Sequence, residues 1–308
     1  MVKLDILVVG GATQDIFLKA KSFIGNSLPM GEKLEAKEMI IATGGGASNV
    51  SVGLQRLGVK TGVLVLVGND EAGKKIIDEF KEEEVKNLLD LREGLVTAQS
   101  FIFVSGAGER IIIEYRGGSN SLDLESEKIL LGDIETKWLY VIDNLGEKST
   151  ANFKFLINWA KQKNISIVFT PNRKMIEERN EWLNLLRDVD ILIVNAEEGA
   201  KILDSGLEKQ EMEIVKMLLE MVKGIAVVTA GKKGSWCAQK NNPEKIYFVP
   251  SPKDEIVDRT GAGDAYSSGF LAQYLKNGDI EEAMNLGTQN ATSVVRYFGG
   301  KKGLLKHN

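Results

Sequence analysis

Short apolar runs rich in Val and Ile recur along the chain, each followed by a stretch with helical periodicity. The runs at 4–9, 63–67, 138–142, 165–169, 189–194 and 225–229 lack any apolar/polar alternation. A strand of that kind has to be covered on both faces. Helical patterns mark 47–57, 71–84, 150–162, 174–186, 208–222, 263–276 and 280–296. The alternation predicts an α/β fold, a mostly parallel central sheet flanked by helices. Ligands of such sheets bind beyond the carboxyl ends of the strands. Functional residues are therefore expected where the apolar runs stop.

Two segments break this rhythm. Residues 12–42 look irregular, and 97–116 read as a hairpin around Ser105-Gly106-Ala107-Gly108. Both are expected to form a small β-lid inserted in a single domain spanning 1–308. A lid suits chemistry from which water must be excluded. The same projection is a candidate dimer contact.

Composition removes several classes of function. Charged residues make up 27% of the chain with a net charge of -4 and both signs interspersed. That argues against nucleic acid or a membrane surface as partner. The one cysteine, Cys237, forms no internal disulfide and points to a reducing, cytoplasmic setting. The one histidine, His307, lies in a basic tail, so a His-based triad or metal site is not expected. Met1-Val2-Lys3-Leu4-Asp5 has no signal-peptide pattern, and no apolar stretch is long enough to span a bilayer.

The richest cluster is Asp258-Arg259-Thr260-Gly261-Ala262-Gly263-Asp264. It follows the β-rich run at 245–249 and opens a helix carrying Tyr266, Phe270 and Tyr274. Glycines let the backbone turn tightly and approach a ligand closely. The helix start then offers unpaired N–H groups and a positive dipole end, which suit a phosphate. Asp264 stands at the mouth of that anion site. There it could cap the helix, or take the proton of a hydroxyl that attacks phosphorus.

Other strand ends carry further candidates. Gly10-Gly11 closes the first run but lacks the third glycine of a dinucleotide fingerprint, which disfavours an NAD-dependent enzyme. Asp15, just beyond it, is placed to accept hydrogen bonds from sugar hydroxyls. Gly44, Gly45 and Gly46 lead into a helix bearing Asn49, both donor and acceptor. Thr229, Gly231 and Gly234 form a glycine turn after the last parallel run, and no P-loop occurs. Asn290, among small residues of a late helix, could border a slot for adenine.

The run from Asp258 to Asp264 matches the second signature of the PfkB/ribokinase family of sugar and nucleoside kinases. Gly44 to Asn49, with Arg56-Leu57-Gly58 downstream, resembles the first. Gly46 departs from ribokinases proper, which carry lysine there, and leaves room for a bulkier substrate. Asn195-Ala196-Glu197-Glu198 resembles the family's Asn-x-x-Glu motif, and Thr229 to Gly234 its nucleotide turn.

The resemblance implies phosphoryl transfer from ATP to an alcohol, most simply a primary hydroxyl of a small sugar. Asp264 would be the base and Gly261, Ala262 and Gly263 the anion hole. Asp15, Gly44, Gly45 and Asn49 would hold the acceptor, and Asn195, Thr229, Gly231, Gly234 and Asn290 the nucleotide. Glu198 would position Mg2+ through water, with few protein oxygens needed. Asp258 and the carbonyls of residues 294–299 resemble a region where some members bind a monovalent cation such as K+. An adenosine-type ribonucleoside kinase and a silent sugar-binding protein on the same fold are the alternatives.

Overall fold

Nine strands pair into one twisted sheet in the computed structural model, which describes residues 2–20, 31, 33–105, 110–127, 131–143, 145–205, 210–253 and 256–307. In chain order the strands begin with β1 (Val2–Lys3), β2 (Ile6–Gly10), β3 (Thr13–Ala20), β4 (Ala36–Gly44) and β5 (Thr61–Leu64). β6 (Lys86–Asn87), β7 (Gln99–Val104), β8 (Arg110–Tyr115), β9 (Ile134–Glu135) and β10 (Trp138–Asp143) follow. The last are β11 (Ser166–Pro171), β12 (Ile191–Asn195), β13 (Ile225–Thr229), β14 (Ser235–Gln239) and β15 (Asn242–Val249). The helices are α1 (Gly46–Arg56), α2 (Glu71–Glu82), α3 (Ser149–Lys163), α4 (Arg173–Glu177), α5 (Ala196–Ile202), α6 (Glu211–Met221), α7 (Ala262–Asn277) and α8 (Ile280–Val294).

The large sheet runs β15-β14-β13-β12-β11-β10-β2-β5-β6. It is parallel from β13 to β6, and β14 and β15 are antiparallel. Strand order departs in both directions from the β2–β10 pair. The crevice outside that pair is therefore the topological switch point. Alternate residues of β2 face opposite cores: Leu7 and Val9 pack with α3-side residues such as Phe153, Ile6 and Val8 with α1 and α7. Two-sided burial is why these runs read as continuous apolar stretches.

A second sheet has the order β4-β3-β7-β8. Residues 12–42, irregular by pattern, thus contain two strands paired through most of their length. The turn expected at 105–108 falls largely outside the described residues. Cross-strand pairs sort the two faces. Asp15, Ala42 and Ser100 share one face with Phe17, Ile102 and Arg110. Ile16, Ile41, Phe101 and Ile113 lie on the other, with Leu18 and Met39.

One expected helix is largely replaced. The pattern at 174–186 gives only the short α4 followed by two 3-10 segments. Trp182 explains the break: its ring is fully buried against Phe153 and Phe169, and its Nε1 donates to the Met175 carbonyl at 2.8 Å. Placing that ring pulls the chain out of α-helical register. Among the described residues no helix is long and apolar enough to cross a membrane.

Candidate active site

β2 ends at Gly10, and the chain turns through Gly11 into β3, so Asp15 lies just past a carboxyl end of the sheet. Asp15 is buried, and Thr13 Oγ1 donates to its Oδ1 at 3.0 Å. Burial raises its carboxyl above the ordinary range, against the opposing hydrogen bonds of Thr13 and Ser100. Gly44 faces this carboxylate. A Cβ there would lie 2.0 Å from Asp15 Oδ2, so only glycine fits. Gly45 caps α1 with φ of 89°, a conformation that favours glycine, and packs on the Gly11 carbonyl.

Asn49 sits in the first turns of α1, only 3% exposed. Its Nδ2 donates to Asp264 Oδ2 at 2.8 Å, and its Oδ1 is buried without a protein partner. A buried carbonyl oxygen left this way calls for a donor from a ligand or water. Gly300 packs behind: a Cβ there would lie 2.5 Å from Asn49 Nδ2. Gly261, with φ of 74°, packs in turn on Gly300, where a Cβ would meet Gly300 Cα at 2.4 Å. Glycines thus bring the Asn49 turn and the Asp264 turn into contact.

Gly261 caps α7 with no side-chain hydrogen bond, and Gly263 opens onto free space. On that side lies a cleft of about 1070 Å³. Asn195, Thr229, Gly231, Gly234, Ala262 and Gly263 border it. Asn195 and Thr229 are cross-strand neighbours at the ends of β12 and β13. Lys232, Lys253 and Arg259 also border it, with Lys233 paired to Glu211, and set against Glu197 this leaves an excess of positive charge that suits a polyphosphate.

Asn290 does not reach this cleft. It is fully buried, donating to the Ala265 carbonyl at 2.8 Å and to Ser268 Oγ at 3.1 Å and accepting from Leu305 N at 2.8 Å. Its polar atoms pack α8 on α7 and hold the C-terminal tail at Leu305. Its neighbours Thr288, Ala291 and Thr292 form the wall instead.

Asn195 and Glu198 form a reciprocal capping box on α5, at 2.8 and 2.9 Å. Burial nevertheless raises the Glu198 carboxyl, and the buried Tyr140 hydroxyl feels the charges of both Glu198 and Asp264. The two carboxylates therefore approach the same region. A half-buried carboxylate at the cleft edge fits a hydrated Mg2+, which takes few protein oxygens. Among the described residues no three acidic, His or Cys groups converge as a metal cage.

The monovalent-cation region is committed otherwise. Asp258 Oδ1 accepts from Arg110 Nη1 at 3.0 Å and Thr260 Oγ1 at 2.9 Å, and Oδ2 from Gly299 N at 3.2 Å. The Val295 carbonyl accepts from the N–H groups of Val257 and Asp258. These oxygens, with a guanidinium already on Asp258, do not fit a further cation as they stand.

Arg110, Arg259 and Lys301 are missing from the sequence expectations. Arg259 is adjacent to the recognised run and could have been read from it. Arg110 was visible as a charge at the start of the Ile-rich strand β8. Nothing local to Lys301 marks it.

A protein of Archaeoglobus fulgidus described as an uncharacterized sugar kinase is 27% identical over 259 residues, 82% of this chain and 98% of that one. A 5-dehydro-2-deoxygluconokinase of Clostridium botulinum is 25% identical over 280 residues, 87% of this chain and 81% of that one. The crystal structure of a Methanocaldococcus jannaschii nucleoside kinase, a ribokinase-family member, superposes with a TM-score of 0.78 at 24% identity, covering 98% of this chain and 95% of that one. The profile of the pfkB family carbohydrate kinases matches residues 3–306. A carboxylate beside a glycine-capped helix, with a basic cleft on one side and a polar turn on the other, is what phosphoryl transfer to an alcohol needs, and the chain belongs to this family of ATP-dependent kinases.

Proposed function

We propose that the protein phosphorylates a primary hydroxyl of a small sugar, with Asp264 as general base. The observation that carries this reading is the hydrogen bond from Asn49 to Asp264. It aims one carboxylate oxygen and leaves Asn49 Oδ1 for an acceptor hydroxyl. Asp15 and the Gly44–Gly45 turn complete the acceptor side. The donor nucleotide occupies the cleft bounded by Thr229, Gly231, Gly234 and Asn195. Its reacting phosphate meets the N-terminus of α7 at Gly261, Ala262 and Gly263, where backbone N–H groups stabilise the charge that develops in transfer. Arg259 and the nearby lysines balance the remaining phosphate charge. Glu198 would hold a hydrated Mg2+ through water, and the ion would supply charge neutralisation for the phosphates.

The small sheet serves as the lid. Its Asp15 face covers the acceptor, and Arg110 latches it to Asp258 and to Thr260 Oγ1 at 2.7 Å. Its other face is apolar and open, with Met39 62% and Ile113 51% exposed. A contiguous face of that kind suits a second copy of the chain. The single, buried Cys237 and the use of ATP suit a cytoplasmic enzyme.

The test is ATP consumption with Mg2+ across pentoses, hexoses, keto-sugar acids and ribonucleosides. Saturable turnover with one sugar is expected. Turnover of nucleosides alone would overturn the sugar assignment. Binding of a sugar without any turnover would overturn the kinase assignment.

A further inference from the structure

Lys301 is a buried ammonium that phosphoryl transfer does not require. It is 5% exposed. Its Nζ donates to Thr43 Oγ1 at 3.0 Å, Ser48 Oγ at 2.6 Å and Glu79 Oε2 at 2.5 Å. Thr43 Oγ1 donates to the same Glu79 oxygen at 2.5 Å. Thr43 is the next-to-last residue of the lid strand β4, before Gly44, and Ser48 lies in the first turn of α1 just before Asn49. One ammonium therefore joins the two ends of the turn that carries Gly44 and Gly45 and presents Asn49.

The lysine is itself held in place. Arg56 Nη1 donates to its carbonyl at 3.0 Å, and Arg56 is paired with Glu83. Gly300, the preceding residue, is the one packed against Asn49 and Gly261. A buried ammonium is costly unless paired and fully hydrogen-bonded. Here Glu79 balances the charge, and Thr43 and Ser48 take the remaining protons. Glycines at 44, 45 and 46 give the turn little stiffness of its own. An external clamp is the physical remedy.

We infer that Lys301 is a positioning residue: by clamping Thr43 to Ser48 it fixes the acceptor turn so that Asn49 and Asp15 face the substrate together. This rests on reading that turn as the acceptor site. The nucleotide cleft, bordered by residues 229–235 and by Lys253, Arg259, Ala262 and Gly263, makes no use of the clamp.

The experiment compares wild type with Lys301→Met and with Lys301→Met/Glu79→Met, which removes the lysine together with its paired carboxylate. The acceptor is whichever the panel above identifies. Displacing the turn by about 1 Å should cost on the order of 10²-fold in kcat/KM for the acceptor. The KM for ATP should stay near its wild-type value. Hydrogen exchange of residues 43–49, measured without any substrate, should accelerate in both variants. If neither variant folds, Ser48→Ala removes a single arm of the clamp and should give a smaller loss of the same kind. Unchanged exchange at 43–49 in a folded variant would overturn the clamp, as would equal losses for acceptor and ATP. Wild-type protein that turns over no acceptor would refute the kinase reading instead, while the exchange result would still decide whether Lys301 holds the turn.

Discussion

Asn49 Nδ2 and Asp264 Oδ2 meet at 2.8 Å across 215 residues of sequence. The amide cannot take a proton from the carboxylate's partner; it can only aim it. Its own oxygen stays buried and unpaired by protein. One side chain thereby orients the base and reserves an acceptor for substrate. Asp264→Asn keeps an oxygen for Asn49 to bond but loses the basic site. The expected outcome is a kcat lower by roughly 10²–10⁴, the usual share of a general base, with ATP and acceptor affinities close to wild type. Turnover together with calorimetric titration of both ligands checks this. Near-normal turnover would remove Asp264 from the role.

Arg110 leads to a second expectation. Its guanidinium already sits on Asp258, whose oxygens are otherwise taken by Thr260 and Gly299. With that guanidinium on Asp258, the rate should be the same in KCl, NaCl and choline chloride at equal ionic strength, which holds screening constant. Activation by K+ specifically would mean that Asp258 gives up the arginine in solution.

Glu198 gives a third. Its carboxyl is raised by burial and spends one oxygen on the Asn195 N–H. Glu198→Gln keeps a cap acceptor but removes the charge that would hold hydrated Mg2+. The Mg2+ concentration for half-maximal rate should rise about 10-fold, the lower end for loss of an outer-sphere partner. KM for the acceptor should not move. An unaltered Mg2+ requirement would leave Glu198 with the capping role alone.

Legibility in the sequence followed the range of the interactions. The parallel strands were visible because two-sided burial writes an unbroken apolar run, as in β2 and β13. The small sheet was half visible: β7 and β8 read as a hairpin, whereas β3 and β4 have fifteen residues between Ala20 and Ala36 in sequence and were hidden by that gap. Glycines opening helices, such as Gly45 and Gly261, could be picked out because their positive φ favours glycine locally. Asn290 misled because a polar residue among small ones looks like a ligand slot, while its partners Ala265 and Leu305 are set by tertiary packing. Lys301 was invisible for the same reason: its partners come from two other parts of the chain, the turn carrying Thr43 and Ser48 and the helix carrying Glu79.

Asp15 sets stability against function, and the sign can be worked out. Its folded-state pKa is raised above the ordinary 3.8 because burial disfavours the charge, and Asp258 nearby adds to this while Thr13, Ser100 and Lys301 oppose it. The native state therefore binds this proton more tightly than the unfolded chain does. Its contribution to stability is fully present below the ordinary carboxylate value and is lost as pH rises through the raised one. At neutral pH the buried charge is a net cost, kept because an ionised carboxylate can accept hydrogen bonds from acceptor hydroxyls. Asp15→Asn, nearly isosteric and uncharged, should unfold at a higher temperature than wild type at neutral pH. That advantage should shrink as pH falls toward the ordinary carboxylate range. The same variant should lose acceptor kcat/KM on the order of 10²-fold or more, because a site built to bond hydroxyls then presents a donor where an acceptor is needed. Thermal scans from pH 4 to 8 with parallel kinetics test both halves. A variant less stable than wild type at neutral pH, or one with unimpaired acceptor use, would refute the assignment of Asp15 as a strained substrate ligand.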